Sequence, residues 1–246
     1  MISPRISLPF LGLSLILIVV ALFAAKNMYV AALTIEPKQA MERWSCNGKI
    51  DDLENWEVQK TKLEKANKLF SLDADIVSDL GRMYEFRALE YAAWNPEAKL
   101  NRDTAITYYR DATQHRPTWA LAWLNLAQAK IMNQQSDDEA FEAVRNGFRF
   151  GSWQEKVQQR LLWLSVGIWP IIPDDIKMKV RDIVIKTLSQ DYRVEMLVVM
   201  AFRFDWITEL ESLITNPEHL AIIQKYRENL NLLNRVLKQQ SKSLVC

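Results

Sequence analysis

The sequence predicts an all-α protein in which an apolar N-terminal helix precedes a series of short helices paired as hairpins. Three observations carry this. No stretch alternates apolar with polar residues between turn signals, as a half-buried strand would. Glycine is scarce, at 6 of 246 residues. Helix-starting chemistry recurs along the chain: Asp51, SLDAD at 71–75, Asn95-Pro96, Ser136 with Glu139, Ser152 with Glu155, Pro173-Asp174, Ser189 to Asp191, and Asn216-Pro217. Small acceptor side chains at these places satisfy the open amides of a first turn, and proline is tolerated there.

The first element is the apolar run ISLPFLGLSLILIVVALFAA, from Ile6 to Ala25, which carries no charge and meets Lys26. At about 1.5 Å per residue this run covers the ~30 Å hydrocarbon core of a bilayer. A core helix of a globular protein is rarely apolar on every face over that length. A cleaved signal peptide would also suit Arg5 and the small residues near the end of the run. The run is longer than an ordinary signal core, so the expectation is an uncleaved single-pass transmembrane helix. Arg5 and the terminal amine oppose Lys26, Lys38 and Arg43 across the span, so the positive-inside rule does not orient it cleanly. The short polar head resembles a bacterial signal anchor, which predicts an inner-membrane protein with the bulk of the chain in the periplasm.

Next comes a neck, a short helix begun by Glu36-Pro37 and stopped by Asn47-Gly48. A docking helix follows from Asp51, with Glu54 placed for a capping box and Leu53, Trp56, Leu63, Ala66, Leu69 and Phe70 on its apolar face. The implied division is 1–33 membrane anchor, 34–70 neck and docking helix, 71–168 helical hairpins, and 169–246 a C-terminal helical capping region. In the last part MLVVMAF, too short to span a bilayer, is expected to lie centrally, and the final helix to close the stack.

Composition narrows the chemistry. Lys and Arg number 31 against 30 Asp and Glu, without the clustered cations that phosphate binding needs, so nucleic acid is not expected as a partner. Cys46 and Cys246 would be free to pair in an oxidising compartment, although Cys246 is the last residue and terminal residues are often mobile. With His115 and His219 far apart, no zinc-ligand spacing exists, and neither metal nor cofactor is expected. Both histidines fall at helix ends and are expected at the surface. The doubled acids Asp51-Asp52, Asp137-Asp138 and Asp174-Asp175 fall where a helix macrodipole favours negative charge, which explains them without catalysis. No nucleophile elbow, phosphate-cradling loop or metalloprotease motif occurs, and no catalytic residue is assigned.

Residues 105–129, AITYYRDATQHRPTWALAWLNLAQA, show why hairpins are expected. Ala105, Tyr109 and Ala112 alternate small, large and small on one helix face, and Pro117 ends that helix. Leu80-Gly81-x-x-Tyr84 supplies the partner helix. This pattern resembles the tetratricopeptide repeat. The distance from Tyr84 to Ala105 exceeds the family spacing by about a dozen residues, so the hairpin is extended or its first helix longer. A second unit has Trp123, Leu126, Ala127 and Lys130 on its first helix and Ala140, Val144 and Gly147 on its second, with lysine in the aromatic place. A third, Trp153 to Ile168, is poorer, and the resemblance covers about 75–168.

The resemblance implies a TPR-like helical-hairpin solenoid with a concave surface that grips another polypeptide. Ser78, Arg82 and Glu85, then Leu124, Gln128 and Ile131, form stripes beside the buried positions and are the expected contact residues. Trp119 and Trp123, four apart, would suit stacking on sugar rings, although Trp123 already has a packing role in the repeat. Arg116-Pro117-Thr118-Trp119, with Ala122-Trp123 and Leu126-Ala127 behind a membrane anchor, resembles the VpsP-type polysaccharide biosynthesis proteins. This adds Arg116 and Trp119 to the candidates. It implies a non-enzymatic helper in exopolysaccharide polymerisation or export, with integral-membrane polysaccharide assembly proteins as partners. A membrane-tethered co-chaperone or regulator and an all-helical glycan-active enzyme are the alternatives.

Overall fold

The computed structural model describes residues 8–243, and among them every regular element is an α-helix. Twelve are present: α1 (Leu8–Asn47), α2 (Leu53–Leu69), α3 (Ala74–Leu89), α4 (Pro96–His115), α5 (Ala120–Met132), α6 (Asp138–Gly151), α7 (Glu155–Gly167), α8 (Asp174–Leu188), α9 (Asp191–Arg203), α10 (Ile207–Leu213), α11 (Pro217–Glu228) and α12 (Leu230–Ser243). Cys246 and Arg5 lie outside the described residues.

The neck is not a separate helix. Proline removes an amide and crowds the carbonyl four residues back, which usually ends a helix, yet α1 runs unbroken past Pro37. Tertiary packing explains the difference. Val30, Thr34, Pro37, Ala40, Met41 and Trp44 recur at helical spacing and are buried, against α2 and α3. That stripe keeps α1 helical on both sides of the proline, and the helix stops at Asn47, before Gly48 in the left-handed region (φ 70°). The apolar N-terminal half, by contrast, is exposed from Leu13 to Phe23, and α1 is long and apolar enough to cross a membrane.

Helices begin within a residue or two of the expected places, and side-chain caps form there at α2, α3, α4, α6 and α11. Helices α8 and α9 begin after Pro173 and Gln190 without one, and Ser189 closes α8 instead. Asn95 and Asn216 accept the Glu97 and Glu218 amides at 2.8 and 3.0 Å, and Asp73 accepts those of Asp75 and Ile76. At α2 the cap is Asp52, bonded to the Asn55 amide at 2.7 Å, rather than Asp51. At α6 it is Asp137, bonded to the Ala140 amide, rather than Ser136. Ser152 caps no helix start: it closes α6, and α7 begins after Gln154 without a side-chain cap. On α2 Trp56, Leu63 and Ala66 are buried as expected, but Leu53 and Leu69 are exposed, because Gln59 rather than the helix ends completes the packed face.

From α3 onwards the helices pack sequentially as pairs: α3 with α4, α5 with α6, α7 with α8, α9 with α10, α11 with α12. The long first hairpin divides its extra residues between a wide turn over 90–95 and an α4 that starts well before Ala105. Pairing does not stop where the repeat signature fades. Arg110 grips Glu139 with two bonds of 2.6 and 2.9 Å, Arg145 grips Asp175 with two of 2.7 and 3.1 Å, and Arg181 bonds Glu209 at 2.7 Å. These arginines lie on α4, α6 and α8 and each reaches the first turn of the second helix in the next pair. They recur every ~35 residues, the length of a two-helix repeat. In the later pairs large apolar side chains fill the seam in place of the small ones that make the signature. Leu197 to Ala201 of MLVVMAF are fully buried, central as expected.

Candidate partner-binding groove

The first helices of the leading pairs, α3 and α5, line a groove of about 630 Å³, and the second half of α1 and Arg160 of α7 complete its lining. Ser78, Asp79, Arg82, Glu85 and Phe86 contribute from α3; Asn125, Gln128 and Met132 contribute from α5, with Trp119 just before it. α1 adds Lys38 and Glu42. The lining mixes four cations with four carboxylates, counting Arg102 and Asp75, and interleaves them with Phe86, Leu89, Trp119, Leu121 and Met132.

A polar network runs along the floor. Arg160 donates to Asn125 Oδ1 at 2.8 Å and to Gln128 Oε1 at 3.1 Å, and Asn125 donates to Ser78 Oγ at 3.2 Å. The Tyr109 hydroxyl, rising between the helices from α4, donates to Glu85. Burial pushes the Glu85 carboxyl up, against the opposing pull of Tyr109, Arg160 and Arg82. Burial also pushes Tyr109 well above its usual range and draws the Arg160 guanidinium down. Asp79 rises from 3.8 to about 6, because burial outweighs Lys38 Nζ at 3.7 Å and Arg82 Nη1 at 3.9 Å. Such a surface offers directional donors and acceptors with nearly balanced charge, which suits a polypeptide more than a polyanion.

Five of the eight expected contact residues meet in this groove: Ser78, Arg82, Glu85, Gln128 and Trp119. Leu124 does not. It is buried in the core, its Cγ facing Gly147, because α5 is enclosed by α4 on one side and by α6 and α7 on the other, leaving only a narrow open strip. Ile131 is half-buried and outside the lining. Arg116 stands behind the groove, with its guanidinium 3.6 Å from Asp75 and 5.1 Å over the Trp119 ring, which it steadies. Trp123 takes a packing role, its indole N–H donating to the Pro117 carbonyl at 2.7 Å.

Asp79, Asn125, Arg160, Lys38 and Phe86 were not legible as groove residues. Asp79 neighbours Ser78 and was within reach of the stripe argument, but Arg160 and Lys38 arrive from helices that only the fold brings there. His219 is buried rather than at the surface, where its ring meets Asp191 Oδ1 at 3.2 Å and Asn216 Nδ2 at 3.4 Å at the start of α11. His115 is exposed at the end of α4. Among the described residues no three His, Cys, Asp or Glu side chains gather as metal ligands do.

Comparison with protein families, with curated proteins and with solved structures returns no match to this chain. The fold and the groove define its class: an all-helical protein of sequentially packed helix pairs with one long apolar helix at its N-terminus.

Proposed function

We propose that this chain is a single-pass, bacterial inner-membrane adaptor of the tetratricopeptide-like kind, whose repeats face the periplasm and whose groove holds a polypeptide segment of an exopolysaccharide polymerase or exporter. One observation carries the binding reading. The groove is lined jointly by α3, α5 and the same α1 that continues into the apolar stretch. At about 1.5 Å per residue, Lys38 stands ~20 Å beyond Ala25, so a partner seated there is held at a fixed height above the lipid. The polysaccharide assignment is supported by the motif around Arg116 to Ala127 alone.

A photo-reactive residue at Gln128 tests this in cells. The expected result is an adduct with an integral-membrane polysaccharide-assembly protein, absent when the probe is moved to exposed Lys179 on α8 and reduced about tenfold by Arg82→Glu through like-charge repulsion and loss of complementarity. A C-terminal alkaline phosphatase fusion should be active. An inactive fusion with the same adduct dependence would favour the cytoplasmic co-chaperone reading.

The raised Asp79 carboxyl favours one second reading, an acid in a glycan-active enzyme. Against it, Asp79 Oδ2 is closed off from solvent and Glu85 is engaged by Tyr109. Glycan turnover that is lost in Asp79→Asn while the adduct persists would establish the enzyme instead.

A further inference from the structure

We infer that the rim of the helix stack formed by the turns before α3, α5, α7 and α9 rests on the lipid surface, with Leu72, Trp119, Trp153 and Tyr192 placed at the headgroup level. The inference rests on α1 being a membrane anchor and adds a second, independent contact with the bilayer.

These four turns form one continuous edge, and the contacts between them fix it. The Arg116 guanidinium, in the turn before α5, lies 3.6 Å from Asp75 in the first turn of α3. Gly151, at the turn before α7, is so close to the start of α5 that a Cβ on it would come 2.5 Å from Ala120 Cβ. Arg193 in the first turn of α9 reaches Glu155 at the start of α7, at 3.0 Å.

The anchor meets this edge and not the opposite one. Val30 of α1 packs with Ala66 and Ile76, whereas Trp44, further along α1, packs with Trp56, Leu80, Met83 and Phe86. Helices α1 and α3 therefore run in the same direction, and the start of α3 lies toward the apolar stretch. Lys26, the residue after the uncharged run, places its ammonium 4.3 Å from the centre of the Phe70 ring, two residues from Leu72. When the run fills the hydrocarbon, Lys26 and Phe70 fall at its boundary, and the rest of the edge extends from that point.

The exposed side chains on this edge suit that place. Leu72 is 76% exposed, Trp153 70% and Tyr192 77%, and Trp119 is half-buried. Tryptophan and tyrosine concentrate at membrane interfaces, where an apolar ring and a polar tip each find their medium. Exposure alone does not select lipid. Trp94 is more exposed still, at 88%, but it lies on the far rim beyond α3, about 24 Å further from the anchor.

The test uses the native tryptophans. All nine lie at or beyond Trp44, so the apolar run contributes no emission of its own. Full-length protein is reconstituted into vesicles of phosphatidylethanolamine and phosphatidylglycerol, with or without bromine on the upper acyl chain. Bromolipid should quench the wild type, and Trp153→Phe should remove roughly half of that quenching, as an interfacial ring in direct lipid contact would, while Trp94→Phe leaves it unchanged. Protein that floats with the vesicles but shows equal quenching in wild type and Trp153→Phe overturns the rim contact and leaves the anchor standing. Protein that fails to float without detergent overturns both.

Discussion

Gly81→Ala is expected to destabilise the protein by about 2 kcal/mol although alanine is the better helix former by ~1 kcal/mol. A Cβ on Gly81 would lie 2.7 and 2.8 Å from Cε1 and Cδ1 of Tyr109, inside any tolerable carbon contact. The ring has nowhere to go. It is fully buried, and its hydroxyl is tied to Glu85. Relief requires α3 and α4 to separate along a closely packed seam. Heat denaturation of the detergent-solubilised chain should show a fall of about 5 °C, taking ~2–4 °C per kcal/mol for a chain of this size. The cause can be isolated with a cycle. Tyr109→Leu alone is costly, since it leaves a cavity and frees Glu85, but combined with Gly81→Ala it should be less costly than the two losses added, because the added methyl then fills space. Tyr109→Phe should give no such relief, since the ring remains. Strict additivity in the leucine cycle would mean that the glycine is not there for close approach.

That seam shows what the sequence made legible. Leu80-Gly81-x-x-Tyr84 and Ala105-x-x-x-Tyr109-x-x-Ala112 are local patterns in which small residues stand where two helix axes approach, Gly81 against Tyr109, so the first hairpin was readable in the sequence. The second was readable from the same small residues. The later pairs were not, because Val194, Leu197 and Val198 bury large side chains that any helical core would use. The continuation is instead written in arginine and carboxylate pairs about 35 residues apart, which look like ordinary surface charge until the fold brings Arg145 to Asp175 and Arg181 to Glu209.

Pro37 misled for a related reason. A local rule, that proline opens a helix, was overruled by packing on both sides of it that no local rule contains. Within the groove the same division holds. Ser78, Arg82, Glu85 and Gln128 follow from helical spacing beside a known buried face, whereas Leu124 obeys the same spacing and is buried, because it faces Gly147 of α6, which together with α7 packs on that side of α5. Lys38 and Arg160 reach the site only through the path of the chain.

The inter-pair clamp on Glu139 gives the second large effect, and it is a pH effect of definite sign. Glu139 accepts two bonds from Arg110 on α4 and one from Lys130 on α5, and the Lys130 ammonium is itself buried and also 2.9 Å from Asp137. The Arg110 bonds, with help from Lys130 and against the cost of burial, lower its carboxyl from 4.5 to about 2. A group lowered in the folded state binds fewer protons there than when unfolded, so its stabilisation is complete above its unfolded value and is lost as the pH falls from about 4.5 to about 2. The clamp is partly exposed, and solvent screening reduces its worth to about 1 kcal/mol at neutral pH. Glu139→Gln should therefore unfold at lower denaturant concentration than the wild type at pH 7, and the two curves should converge as the pH approaches 2. Asp79 works in the opposite direction. Its carboxyl is raised from 3.8 to about 6, so its charged form opposes folding, and the penalty grows as the pH rises through that interval. Asp79→Asn is expected to be more stable than the wild type above pH 6, by about 1 kcal/mol, and equal to it below pH 4. Parallel curves for Glu139→Gln and the wild type at every pH would show that the Arg110 clamp does not hold α4 to α6.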